Sequence, residues 1–173
     1  MGIQKKQKED NPLYQFFKNN KGKLIHKWLH YFEIYDRYFS HYRNKDVIII
    51  EFGVSHGGSL SMWKDYFGPK AKIYGVDINP QCQSLEEDQI KIFIADQNDS
   101  KSLELVLNQI PKVDILIDDG GHTMAQQINT FNVFFDHVKD DGIYLCEDLH
   151  TSYWAYFYSG YKKKTPLLNI VKI

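Results

Sequence analysis

Five short apolar runs recur along the 173-residue chain, and each ends on a carboxylate: "DVIIIEFG" (46–53), "KIYGVDI" (72–78), "IKIFIAD" (90–96), "VDILIDD" (113–119) and "GIYLCED" (142–148). Near-continuous hydrophobicity over strand length means burial on both faces of a sheet. Between the runs lie "SLSMWKDYF" (59–67), "SKSLELVLNQI" (100–110) and "TMAQQINTFNVFFDHV" (123–138), which read as helices. Strands alternating with helices predict an α/β chain: a Rossmann-like, doubly wound parallel sheet of about five strands with right-handed crossovers. Such a sheet binds ligands outside the carboxyl ends of its strands. There the exits carry Glu51, then Asp77, then Asp96 with Gln97, then Asp118 with Asp119, then Glu147 with Asp148. Carboxylates crowded along one edge repel one another unless a cation sits between them.

The rest of the composition narrows the function. Hydrophobic residues at 43% and charged residues at 25% suit one soluble globular domain. A net charge of −1 offers no broad basic field, so nucleic acid is not an expected partner, and "KNNKGK" and "KKK" read as solvated surface. Cys82 and Cys146 show no metal-binding spacing, which suits a reducing, cytoplasmic setting. The start "MGIQKKQKED" lacks the apolar stretch of a secretory signal, and Lys6 stands where myristoylation favours Ser or Thr. No apolar run approaches the roughly 20 residues of a membrane span. Residues 1–23 are expected to be a polar, loose leading segment and 24–173 a single domain. Within "LIHKWLHYFEIYDRYF" (24–39), Leu24, Trp28, Tyr31, Phe32, Tyr35, Tyr38 and Phe39 fall at helical spacing, predicting an amphipathic helix packed on the sheet.

The loop "EFGVSHGGS" discriminates between ligands. Its glycines, Gly53, Gly57 and Gly58, match neither a dinucleotide fingerprint nor a P-loop. Glu51 suits a positively charged amino group, Asp77 a ribose diol, and Asp96 or Gln97 an adenine edge. Those needs describe S-adenosylmethionine better than NAD. Asp119, Glu147 and Asp148 offer oxygen ligands from neighbouring strand ends, which suits a hard divalent cation, Mg2+ first; zinc would want a His/Cys set. His122, three residues past Asp119, is a candidate general base; the alternative is a helix-capping or surface histidine.

At these residues the chain resembles a known family. "EFGVSHGGSLSMWKDYFGPKAKIYGVDIN", "DDGGH" and "YLCEDLHTSYW" are similar to metal-dependent class I methyltransferases of the macrocin and mycinamicin sugar O-methyltransferase type, with cephalosporin hydroxylase-like relatives. The resemblance implies Mg2+ on Asp119, Glu147 and Asp148, with His122 as base. It also implies S-adenosylmethionine held around Glu51, Gly53, Ser59, Asp77, Asp96 and Asp118, and a small sugar-containing acceptor. His150, Tyr153 and Trp154 are candidate acceptor contacts, and Tyr156, Phe157, Tyr158 and Tyr161 extend that aromatic segment; core packing or a homo-oligomer contact is the alternative use. The family fold carries two further antiparallel strands after the fifth. The remaining "AYFYSGYKKKTPLLNIVKI" is too short for a helix and both strands, so the chain is expected to lack that pair. The alternatives are a catalytically silent cofactor-binding module, or another metal-dependent enzyme on the same fold, a hydrolase or hydroxylase.

Overall fold

The computed structural model describes residues 10–158. Its sheet has five strands in the order β3-β2-β1-β4-β5: β1 (Ile48–Phe52), β2 (Lys72–Asp77), β3 (Ile90–Ile94), β4 (Val113–Asp118) and β5 (Val138–Cys146). Every pairing is parallel. The order reverses between β1 and β4, so the exits of these two strands flank the crevice where a doubly wound sheet receives its ligand.

The predicted burial is met most fully in β4, where all six residues are buried. One face of the sheet carries α1 (Pro12–Asn19), α2 (Tyr31–Phe39) and α3 (Gly58–Phe67); the other carries α4 (Ser100–Leu107) and α5 (Met124–Phe134). Because strand side chains alternate, Ile49, Ile115 and Ile117 enter the first core with Trp63 and Tyr35, while Ile50, Phe52 and Leu116 enter the second with Phe134. Local signals place the helix starts. Asp99 caps α4 by accepting from the Lys101 amide, and Thr123 with Gln126 closes a capping box on α5.

Three expectations are corrected. Residues 12–19 are not loose: Asn11 caps α1, Pro12 occupies its first turn, and Leu13 is fully buried. The helix expected over 24–39 begins only at Tyr31. Residues 24–28 have no regular structure, and Leu24 and Trp28 are 60% and 57% exposed. Ile25 and the Lys27 side chain turn inward instead, an alternation of two that a helix cannot provide. The fifth strand also starts earlier than expected, with a break in register between its pairing at Val138 and at Ile143. The expectation about two further strands concerns residues 159–173, outside the described ones. No helix among the described residues is long and apolar enough to cross a membrane.

Candidate functional site

Three strand exits converge on one lysine. Lys27 Nζ lies 2.9 Å from Glu51 Oε1, 2.6 Å from Asp119 Oδ2 and 2.8 Å from Glu147 Oε1. The ammonium is almost wholly enclosed, at 2% side-chain exposure. Burial by itself would drive its pKa down; Glu51, Glu147, Tyr35 and Asp119 together hold it well above the ordinary lysine value. Burial likewise pushes the Glu51 and Glu147 carboxyls up, against the pull of Lys27. Both carboxyl oxygens of Glu51 are engaged within the protein, since Oε1 meets Lys27 and Oε2 takes the Ser59 hydroxyl at 2.8 Å and the Trp63 indole N–H at 3.1 Å. Glu147 also accepts from the Tyr35 hydroxyl.

Beside this cluster, Asp119, His122 and Asp148 bring one potential ligand atom each within 4.8 Å of the others. His122 Nε2 faces Asp119 Oδ1 at 3.5 Å and Asp148 Oδ2 at 3.8 Å. Its Nδ1 is buried with no hydrogen-bond partner among the described residues. The second carboxyl oxygen of Asp148 accepts from Tyr31 Oη at 2.9 Å. His122 and Asp148 both have left-handed backbones, φ 58° and 53°, which non-glycine residues adopt at a cost of about 1–3 kcal/mol each. Two carboxylates and an imidazole converging in this way fit a divalent cation of hard or borderline character.

A cavity of about 570 Å³ opens over these groups. Asp119, His122, Glu147 and Asp148 line it together with Gly53, Asp77, Asp96, Gln97 and the segment His26 to Trp28. Asp77 is pinned by backbone amides, Ser55 N–H to Oδ2 and Asn79 N–H to Oδ1, both at 2.9 Å. Asp96 Oδ1 accepts from the Asn98 amide at 2.8 Å. Gln97 lines the cavity but spends its amide within the protein. Its Nε2 donates to Asp118 Oδ1 and Thr130 Oγ1, both at 2.8 Å, and its Oε1 accepts from Gly121 N–H at 2.9 Å.

Three residues expected around the cofactor stand behind the cavity wall: Glu51, Ser59 and Asp118. Glu51 points into the face covered by α3 and meets Lys27. Asp118 points the opposite way toward Tyr144 and Gln97, and burial lifts its carboxyl to about 7 against those hydrogen bonds. The glycines of "DDGGH" answer to packing: a Cβ on Gly120 would sit 1.9 Å from Gln97 Oε1. Gly53 is equally constrained, with φ +91° and an added Cβ 2.0 Å from the Asp119 carbonyl oxygen. Gly53→Ala is therefore expected to destabilise the fold by about 2–5 kcal/mol, measured as a lower urea midpoint. An unchanged midpoint would remove Gly53 from the constraints on this site.

The acceptor candidates form an exposed shelf next to the cavity rather than its wall. His150 packs edge-on to Trp154, ring centroids 4.8 Å apart, and stands 6.4 Å from Trp28, which does line the cavity. Tyr153 and Trp154 are 56% and 51% exposed. Tyr161 lies outside the described residues. Lys27 and Tyr35 are the site residues that sequence reasoning passed over; a single lysine inside an aromatic stripe was the available signal.

No protein-family model matches the chain. Among characterised proteins it is similar to mycinamicin VI 2''-O-methyltransferase of Micromonospora griseorubida, 40% identical over 138 residues that make up 75% of this chain and 34% of that one. It is also similar to demethylmacrocin O-methyltransferase of Streptomyces fradiae, 40% identical over 144 residues, 78% of this chain and 36% of that one. A solved structure of the MycE methyltransferase from the mycinamycin biosynthetic pathway, in complex with Mg, SAH and mycinamycin VI, superposes with a TM-score of 0.79. It is 33% identical, and the match covers 92% of this chain and 43% of that one. The chain thus spans about a third of the length of the curated relatives it matches. Over that shared part it is similar to the macrocin- and mycinamicin-type sugar O-methyltransferases.

Proposed function

We propose that the chain carries the active centre of a Mg2+-dependent, S-adenosylmethionine-dependent O-methyltransferase acting on a sugar hydroxyl of a small glycosylated acceptor. The observation that carries this reading is the convergence of Asp119, His122 and Asp148 in the lining of a cavity that Asp77 also lines. Asp119, Glu147 and Asp148 would hold the cation from the exits of β4 and β5, and two of them, Asp119 and Glu147, also meet Lys27. A cation there supplies positive charge beside the alkoxide that develops as the hydroxyl is deprotonated, and S-adenosylmethionine supplies an activated methyl group. His122 receives the hydroxyl proton at Nε2, and the imidazolium so formed faces the two aspartates. Asp77, already oriented by the Ser55 and Asn79 amides, accepts hydrogen bonds from the ribose diol. The shelf of His150, Tyr153 and Trp154 offers aromatic faces to the acceptor.

Calorimetry with S-adenosylhomocysteine, with and without Mg2+, tests the reading. Binding is expected, and Asp77→Ala should weaken it about 10- to 100-fold through loss of a charge-assisted hydrogen bond. If S-adenosylhomocysteine fails to bind, or NADH competes equally well, the cofactor assignment falls and another metal-dependent chemistry on this fold takes its place. Cofactor binding without methyl transfer to any glycosylated acceptor would favour a silent binding module.

A further inference from the structure

Lys27 is not part of any strand or helix. It belongs to the irregular segment before α2, and its side chain reaches three strand exits whose Glu51, Asp119 and Glu147 carboxylates meet no other lysine or arginine among the described residues. Glu51 and Glu147 are 0% and 1% exposed. Buried carboxylates are strongly unfavourable unless a cation compensates them, so one ammonium here does for the metal-free protein what a divalent ion would do. It does so on a shared ligand: Asp119 gives Oδ2 to Lys27 and turns Oδ1 toward His122. Glu147 gives Oε1 to Lys27 and Tyr35.

We propose that Lys27 is a built-in counter-cation that competes with the divalent ion for Asp119 and Glu147. The inference rests on the metal reading above and deepens it. When no metal is bound, the ammonium holds the acidic exits together and the site folds in place. When the metal enters, it must share or take these two carboxylates, and its affinity is lowered by the resident positive charge. Lys27 is thus a positioning residue that acts through the carboxylates and sets how tightly the cation binds.

The test compares three forms of the 173-residue chain: wild type, Lys27→Met, and Lys27→Met combined with Glu51→Gln. Each is melted in EDTA and in Mg2+, and Mg2+ is titrated by calorimetry. In EDTA, Lys27→Met should melt about 10 °C below wild type, because it strands buried negative charge. Adding Glu51→Gln should restore part of that loss by removing one of the stranded carboxylates. Mg2+ should raise the melting temperature of Lys27→Met more than that of wild type, and should bind it on the order of tenfold more tightly. A merely structural lysine would also lower the melting temperature on removal, but Mg2+ affinity would not rise. Equal or weaker Mg2+ binding in Lys27→Met overturns the proposal, as does a melting temperature in EDTA equal to wild type. If Lys27→Met is unfolded in EDTA, recovery of its near-ultraviolet dichroism on adding Mg2+ supports the proposal, and failure to recover overturns it. Indifference of both wild type and Lys27→Met to Mg2+ overturns the metal reading and the competition with it, whereas a response confined to Lys27→Met supports the competition.

Discussion

His122→Ala is expected to slow methyl transfer to a glycosylated acceptor by about 10²–10⁴-fold while leaving S-adenosylhomocysteine binding unchanged. The informative partner measurement is Mg2+ affinity. The imidazole stands between Asp119 and Asp148, close enough to serve either as proton acceptor or as third ligand. A base that only receives the proton can be deleted with Mg2+ affinity nearly intact, whereas deleting a ligand weakens the site. Turnover falling alone assigns the base; turnover and Mg2+ affinity falling together assign a ligand. Wild-type turnover in His122→Ala would reduce the residue to the connector between the β4 exit and the capping box at Thr123.

Asp119→Asn should abolish Mg2+ binding and turnover together. The amide keeps an oxygen for Lys27 but removes the charge that a hard cation requires, and a site with one carboxylate fewer is both weaker and misshapen. The same variant should fold, because Lys27 still bridges Glu51 and Glu147, with one buried negative charge fewer to compensate, and the Asp119 backbone N–H still bonds Phe52 O at 3.1 Å. Thermal melts in EDTA and in Mg2+ separate these effects: a wild-type Mg2+ response in Asp119→Asn would put the cation elsewhere. By contrast, Asp77→Ala should impair cofactor binding and leave the Mg2+ response intact, since Asp77 is held by the Ser55 and Asn79 amides and not by the Asp119, His122 and Asp148 cluster.

The sheet was legible because a strand buried on both faces admits little besides apolar side chains. "VDILID" is such a strand wherever it falls in the order, and all six of its residues are buried. The acidic exits were legible for the same reason: polarity returns where the chain leaves the core, and in a parallel sheet all such exits share one edge. Helix starts could be read from capping chemistry that acts within three residues, as at Asp99 and Thr123. The same kind of signal, Asn11 before Pro12, marked α1, although the polar residues around it suggested a loose segment.

Where each exit carboxylate points was a tertiary matter. Asp118 and Asp119 are neighbours in the chain, yet the pleat sends Asp118 toward Gln97 and Tyr144, and Asp119 toward Lys27 and the cavity. Glu51 looked like a ligand for a cofactor's amino group, but the packing of α3 behind β1 surrounds it with Ser59, Trp63 and Lys27. The aromatic spacing of 24–39 was helical in its second half only, because the first half follows the strand ends to place Ile25 and Lys27 inward. Lys27 lies 24, 92 and 120 residues from its three partners. Local patterns act over one or two turns of helix or one strand; they reveal that carboxylates gather at an edge, but which cation meets them depends on a reach across the sheet that only the folded chain brings about.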